Sequence, residues 1–167
     1  MPRHYPRSTY IFLDQDGPLA DFEAAMHREG MSGPQAKMLP GFYRSLPVTP
    51  GAQAAVKELC SWDHVHVFVA TKIPNANPLA ATEKIQWLHE HFPELEERII
   101  VTPNKAVIGG PGDFLVDDRH HKADAAFFPG TFVHFGAPAA PTWVEALATL
   151  RRHRDARTDR AHQNTAR

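Results

Sequence analysis

Short apolar runs recur along the chain, and longer segments with a helical repeat of apolar residues separate them. Runs of three to six residues rich in β-branched and aromatic side chains are typical of buried strands. The predicted strands are Tyr10 to Leu13, His64 to Val69, Ile99 to Val101, Phe114 to Val116 and Thr131 to Phe135. Strands that alternate with helices favour βαβ units with right-handed crossovers. The pattern therefore predicts an α/β fold built on a parallel sheet.

The helical segments follow from apolar residues spaced three and four positions apart. In the segment from Leu79 to Phe92, Ile85 and Leu88 share one face with Phe92, and Lys84 falls on the opposite, polar side. A charged side chain on the polar side of a helix is usually solvated, so Lys84 is predicted to face solvent. The other predicted helices are Asp21 to Glu29, Ala52 to Ser61, a short one at His121 to Phe127, and Trp143 to about His153.

A long segment, Asp14 to Gly51, separates the first strand from the helix that starts at Ala52. It is too long for an ordinary loop between a strand and a helix, and it contains a helix of its own, so it predicts a small inserted lid or cap. We assign one domain to residues 1–150, with the cap at about 18–50. Residues 151–167 are assigned to a basic, disordered tail.

Composition and charge limit the class of protein. The 167 residues suffice for one domain, and 43% hydrophobic with 22% charged residues is typical of a globular protein. The formal net charge is −1, with an excess of +4 in the tail and −5 in the rest. Cys60 is the only cysteine, no apolar run is long enough to span a bilayer, and no secretory signal is evident. These features predict a cytoplasmic protein with neither membrane nor nucleic acid as partner.

Polar side chains follow the predicted strands where the strands end. Asp14 and Asp16 follow the first strand, Thr71 the second, and Asp117 and Asp118 the fourth. Ligands of open parallel sheets bind at this edge, and crowded carboxylates predict a cation among them, with Mg²⁺ preferred for oxygen ligands. An Asp-x-Asp-Gly segment alone also suits a calcium loop or a plain turn. The eleven histidines lack the accompanying cysteines of most zinc sites, so zinc is not expected.

Four motifs in order carry a resemblance to a known superfamily. Ile11 to Gly17, the strand that ends at Thr71, the single Lys105, and Leu115 to Asp118 resemble the four motifs of the haloacid dehalogenase-like phosphatases. Within that superfamily, further segments are similar to the 5'(3')-deoxyribonucleotidase family: Asp16 to Phe22, Pro50 to Ala52, Glu83 to Trp87, and Asn104-Lys105 before Asp117 to Arg119. The resemblance implies a Rossmann-like fold whose five-stranded parallel sheet has helices on both faces and a small helical cap.

The resemblance also implies roles for the acidic residues. Asp14 is expected to be the nucleophile that becomes an aspartyl-phosphate. Asp16 is expected to act as general acid and then as general base, and to offer its backbone carbonyl to Mg²⁺. Asp118 is expected to be the direct carboxylate ligand of the metal from the fourth motif, and Asp117 to support it or to bind through water.

The same resemblance implies substrate contacts. Thr71 is expected to hydrogen-bond a phosphoryl oxygen, and Lys105 to neutralise phosphate charge and hold Asp14. Lys72 stands where the deoxyribonucleotidases have Ser and adds charge beside the phosphate. Lys84 matches a family lysine near the substrate. The aromatic residues expected to face a nucleoside from the lid are Phe22, Phe42 and Tyr43.

Together these features predict a Mg²⁺-dependent phosphomonoesterase for which a (deoxy)nucleoside monophosphate is the expected small-molecule substrate. The lid between Asp21 and Gly41 is shorter than the family's and lacks part of its aromatic wall, which leaves the substrate open. A phosphatase for a sugar phosphate or another small phosphate ester is one alternative. The other is a catalytically silent relative that binds nucleotide or RNA. A homodimer is left open as the oligomeric state.

Overall fold

The protein folds around a single five-stranded parallel sheet with strand order β3-β2-β1-β4-β5. The computed structural model describes residues 8–165, with side chains up to residue 156. The strands are β1 (Thr9–Leu13), β2 (Val65–Thr71), β3 (Ile99–Val101), β4 (Phe114–Asp117) and β5 (Thr131–His134). All five predicted strands are present, and the structure confirms the predicted α/β fold.

The sheet has two apolar faces because successive side chains of a strand point to opposite sides. Ile11 and Leu13 belong to the large core, which also contains the buried residues of the α-helices. Phe12 lies on the other face, in a smaller cluster with Leu115 and Phe128. Two short 3-10 turns connect the strands on this side, at Lys105–Val107 and Ala125–Phe127. The helix predicted over His121 to Phe127 is reduced to the second of these turns, so that prediction was too long.

Within residues 8–165, five α-helices accompany the sheet. They are α1 (Phe22–Arg28), α2 (Gly33–Met38), α3 (Ala52–Cys60), α4 (Ala80–His91) and α5 (Trp143–Thr165). Leu88 and Phe92 are buried as predicted, but the prediction was wrong for Lys84: the buried side chains of α4 are Ala80, Lys84, Trp87 and Leu88, so Lys84 faces the protein interior. Residues four positions apart share a helix face, and Lys84 follows Ala80 and precedes Leu88 at that spacing.

The last helix is longer than the sequence predicts. It was expected to end near His153, but α5 continues to Thr165, so residues 151–165 are helical where a disordered tail was expected. Trp143 and Leu150 bury this helix against the core, and Arg151 pairs with Glu58 of α3. Residues 166 and 167 lie outside the described part of the chain. No helix among the described residues is long and apolar enough to cross a membrane.

The lid consists of α1, α2 and a 3-10 turn at Tyr43–Ser45, inserted between β1 and α3. Its far end is held by α4. The carboxylate of Glu83 accepts hydrogen bonds from the backbone N–H of Gly41 (2.6 Å) and of Tyr43 (3.2 Å). The indole N–H of Trp87 donates to the carbonyl of Leu46 (2.8 Å). These bonds fix the lid over the carboxyl edge of the sheet.

Candidate active site

The ends of β1 and β4 bring two carboxylates together around a buried lysine. Leu13 pairs with Val116 in the sheet, so Asp14 and Asp117 follow on adjacent strands. Lys105 Nζ lies 2.7 Å from Asp14 Oδ1 and 2.6 Å from Asp117 Oδ2. The second oxygen of Asp117 accepts a hydrogen bond from the backbone N–H of Arg119 at 2.8 Å. This network orients the carboxylate of Asp14. It includes the contact by which Lys105 is expected, from the resemblance, to hold Asp14.

Lys105 remains charged although it is buried. Its side chain is 3% exposed, and burial alone would lower the pKa of its amine. The carboxylates of Asp14 and Asp117 outweigh that effect, so the pKa of Lys105 lies above its usual value. The pKa of Asp117 is raised by burial and by the neighbouring charge of Asp14, against the opposing influence of Lys105. Asp14 and Asp117 together therefore carry one more negative charge than Lys105 balances.

Asp118 has the features of a metal ligand. Carboxylate oxygens of Asp14, Asp117 and Asp118 all lie within 4.8 Å of one another. Oδ1 of Asp118 is buried and has no hydrogen-bond partner among the described residues. Burial, followed by the charge of Asp14, raises the pKa of Asp118 to about 7. A divalent cation would satisfy the unpartnered oxygen and offset the repulsion, so these residues fit the metal site that the sequence predicts.

The backbone of the loop after β1 approaches the side chain of Asp118 closely at Gly17. This residue has φ of 102°, which L side chains rarely adopt, and a Cβ here would lie 2.6 Å from Cγ of Asp118. The hydroxyl of Thr49 donates to the carbonyl of Gly17 (2.6 Å), and the indole N–H of Trp143 donates to the carbonyl of Pro18 (2.7 Å). The loop that carries Asp14 and Asp16 is thus held from two sides against Asp118.

The carboxylate of Asp16 is held by Lys84. Lys84 Nζ lies 2.8 Å from each carboxylate oxygen of Asp16 and 3.0 Å from the hydroxyl oxygen of Thr71, and 4.7 Å from the ring centre of Tyr43. The side chain of Lys84 is 1% exposed. The side chain of Asp16 therefore stands apart from the three-carboxylate cluster, which leaves its backbone carbonyl as the expected metal ligand.

The predicted phosphate ligands occupy different positions around the cavity. A cavity of about 200 Å³ opens in front of Asp14, and Asp16, Lys72 and Lys105 also line it. Thr71 is fully buried behind Lys84 and does not line this cavity. The structure thus brings the two catalytic aspartates, Lys72 and Lys105 together, while Thr71 and Lys84 stand behind them.

The three lid aromatics pack on one another. The ring centres of Phe22 and Phe42 are 5.2 Å apart, and those of Phe42 and Tyr43 are 6.1 Å apart. Only Tyr43 of these three lines the catalytic cavity, and its buried hydroxyl has no hydrogen-bond partner among the described residues. Phe22 lines a second cavity of about 620 Å³ on the other side of Arg119, and Phe42 lines neither. The structure gives Phe22 and Phe42 a packing role and directs only Tyr43 toward the catalytic cavity.

Three basic residues of the cavity were not predicted. Arg119 follows Asp118 and lies 3.3 Å from its carboxylate, while Lys37 of α2 and Lys122 line the cavity. The position of Arg119 directly after the fourth motif was a usable signal. Lys37 and Lys122 fall in no motif, and only the fold brings them to this edge.

Comparison with known proteins identifies the family. Residues 35–146 match the family model described as "5' nucleotidase, deoxy (Pyrimidine), cytosolic type C protein". The chain belongs to this nucleotidase family. It is a phosphoric monoester hydrolase of the 5'-nucleotidase type. The resemblance stated from the sequence motifs is thereby confirmed.

Individual relatives agree with that assignment. The human cytosolic-type 5'(3')-deoxyribonucleotidase is 31% identical over 146 residues, which cover 68% of this chain and 72% of that protein. The human mitochondrial 5'(3')-deoxyribonucleotidase is 27% identical over 86% of this chain and 71% of its own length. A crystal structure of a haloacid dehalogenase-like family hydrolase from Xanthomonas campestris superposes with a TM-score of 0.56 at 14% identity, covering 95% of this chain and 97% of that one. This last similarity concerns the fold alone.

Proposed function

We propose that the chain is a Mg²⁺-dependent 5'(3')-deoxyribonucleotidase that hydrolyses (deoxy)nucleoside monophosphates through an aspartyl-phosphate on Asp14. The observation that carries this proposal is the placement of Asp14 at the cavity, held by Lys105 at 2.7 Å and beside the unpartnered oxygen of Asp118. The names of the two human relatives support the substrate class. The cytoplasmic location stays a prediction.

In the first step, a carboxylate oxygen of Asp14 attacks the phosphorus and the ester oxygen leaves. Asp16 gives its proton to that leaving oxygen, which becomes the hydroxyl of the released nucleoside. In the second step, water attacks the phosphorus of the aspartyl-phosphate, Asp16 accepts the proton of the water, and the carboxylate of Asp14 is restored. Phosphate is the second product.

The surrounding residues orient these groups. Lys105 holds Asp14 and is available to the phosphoryl oxygens, and Lys84 holds Asp16 in front of Thr71. Asp14, Asp118 and the backbone carbonyl of Asp16 would hold Mg²⁺, which would offset the charge of the phosphoryl oxygens. Positioning and electrostatics of this kind supply most of the catalysis in phosphoryl transfer.

The test is release of inorganic phosphate from a panel of deoxynucleoside monophosphates, with Mg²⁺ or with a chelator. We expect activity only with the metal, and its loss in Asp14→Asn. The matched control is Asp63→Asn, which removes an exposed carboxylate in the turn before β2 and should leave the activity unchanged. Equal rates for Asp14→Asn and the wild-type protein would exclude Asp14 as the nucleophile.

The size of the cavity favours a second candidate substrate class. A volume of about 200 Å³ is smaller than the roughly 300–1,000 Å³ of typical small-molecule sites. The lid aromatics also pack on one another, and only Tyr43 is directed at the cavity. These features favour a compact phosphate ester such as a sugar phosphate, which belongs in the same panel. Faster hydrolysis of every sugar phosphate than of any nucleotide would select this alternative.

A further inference from the structure

The walls of the catalytic cavity carry a net positive charge that matches one phosphate dianion, so the Mg²⁺ of the proposed function would leave positive charge for a second anion. Three carboxylates and five basic side chains line it. The carboxylates are Asp14, Asp16 and Asp117, and the basic residues are Lys37, Lys72, Lys105, Arg119 and Lys122. Lys84 and Asp118 do not line the cavity but pair with Asp16 and Arg119, which do. They add one charge of each sign, so the net charge of the cavity stays at +2. This excess lies in a chain whose residues 1–150 are acidic overall.

The ion pairs of the site divide the basic residues into two groups. Lys105 pairs with Asp14 and Asp117, Lys84 with Asp16, and Arg119 with Asp118. By contrast, Lys37, Lys72 and Lys122 form no salt bridge with any carboxylate in the described part of the chain. The unpaired group therefore accounts for the excess charge.

The three unpaired lysines come from separate segments, and hydrogen bonds fix the segments of Lys37 and Lys122 in place. Lys37 lies on α2 of the lid, and its carbonyl accepts a hydrogen bond from the side-chain amide of Asn77 (2.9 Å). Lys122 precedes Ala123, which has φ of 50° and whose carbonyl accepts a hydrogen bond from the backbone N–H of Lys105 (2.6 Å). The lid and both loops thus present like charges to one cavity.

These charges repel one another in the absence of a ligand. Burial lowers the pKa of Lys37, and the nearby charges of Arg119, Lys122 and Lys84 lower it further, against the opposing influence of Asp16. Like charges held together by hydrogen bonds favour an anionic ligand that relieves their repulsion. The phosphoryl group that reacts at Asp14 meets the paired Lys105, which leaves the three unpaired lysines to other groups of the ligand.

We propose that Lys37, Lys72 and Lys122 form a subsite for a second anionic group, so that the preferred substrate is a phosphate monoester carrying a second phosphate. This inference rests on the proposed phosphatase function and refines its substrate class. The reactive phosphate meets Asp14 and Lys105 while the second one lies among the three unpaired lysines. A nucleoside 3',5'-bisphosphate and a sugar bisphosphate both have this chemistry.

The test compares matched substrate pairs on the Mg²⁺-loaded enzyme. One pair is deoxyadenosine 5'-monophosphate and deoxyadenosine 3',5'-bisphosphate, and the other is fructose 6-phosphate and fructose 1,6-bisphosphate. We expect kcat/KM for the bisphosphate to exceed that for the monophosphate at least about fivefold in one of the two pairs. The pair that shows the preference identifies the scaffold. Equal kcat/KM values within both pairs would overturn the proposal.

Variants localise the preference to the subsite. The double variant Lys37→Gln/Lys122→Gln should raise KM for the bisphosphate and remove most of the preference, whereas Lys57→Gln, an exposed lysine on α3, should keep it. The preference should also weaken with added salt, because these charges are partly solvated. A preference that persists in the double variant would contradict the assignment of these lysines.

A binding measurement separates this proposal from the proposed function. Isothermal titration of the Asp14→Asn variant with both substrate pairs reports binding without turnover, and we expect the bisphosphate of at least one pair to bind at least about fivefold more tightly than its monophosphate. If the wild-type protein hydrolyses no ester, the phosphatase function fails, and this titration still decides the subsite. Equal affinities within both pairs would exclude the subsite even in an active phosphatase.

Discussion

Replacement of Asp118 by Asn is expected to stabilise the metal-free protein while it abolishes activity. The carboxylate is 21% exposed, and one of its oxygens is buried with no partner among the described residues. Its pKa is about 7, compared with 3.8 for a free aspartate. At 1.36 kcal/mol for each pKa unit, the ionised group costs the folded state at most about 4 kcal/mol. The lost contact with Arg119 reduces the net gain.

The effect has a defined dependence on pH. The folded state holds the proton of Asp118 more tightly than the unfolded state does, so the wild-type protein gains stability as the pH falls from about 7 toward 3.8. Above pH 7 the full cost of the charge is present. The gain from Asp118→Asn should therefore be largest at pH 8 and nearly absent close to pH 4.

Urea denaturation at pH 8 and pH 5 in the presence of a chelator measures this difference. Asp63→Asn is the control, because its carboxylate is exposed and should contribute nothing. Added Mg²⁺ should stabilise the wild-type protein by mass action and leave Asp118→Asn unchanged. An Asp118→Asn protein that is less stable than the wild type at pH 8 without metal would refute the reasoning.

Three further substitutions test the site. Lys105→Met should cost about 3–5 kcal/mol at neutral pH in urea denaturation, because it leaves the buried carboxylate of Asp117 and the partly buried one of Asp14 without their cation, and phosphate release should be lost; unchanged stability would contradict the ion-pair geometry. Gly17→Ala places a Cβ against Asp118, so we expect weaker Mg²⁺ binding by titration and lower stability, whereas wild-type affinity would show that the loop can retreat. Trp143→Phe removes the hydrogen bond to Pro18 and should cost about 1–3 kcal/mol of unfolding free energy; a loss near zero would mean that water replaces the indole.

The strands and the acidic residues at their ends were predictable because both are local signals. Buried strands are short and apolar, and the parallel arrangement then brings Asp14, Asp117 and Asp118 to one edge. The closeness of these three carboxylates follows from the parallel arrangement and from the order of the motifs along the chain. For this part of the site, the order of elements along the chain is nearly sufficient.

Lys84 shows where a local pattern fails. Helical periodicity assigns a charged residue to the solvent side, and here the carboxylate of Asp16 from a distant loop offsets the cost of burying the charge. Lys37 could not be found for a related reason: its role depends on how the lid docks, and no short-range pattern encodes that docking. The length of α5 was missed because its second half is polar all round, a composition that an exposed helix and an unfolded tail share.

The two hydrogen bonds that the carboxylate of Glu83 accepts from the lid restrict the motion of the lid. They tie the backbone at Gly41 and Tyr43 to a helix of the main core, and Trp87 adds a third tie at Leu46. A lid joined in this way opens only when these hydrogen bonds break, so the amide hydrogens of Gly41 and Tyr43 should exchange with solvent more slowly than those of the exposed loops. Turnover in this enzyme would then proceed through a permanently formed entrance, without a gate that opens and closes in each cycle.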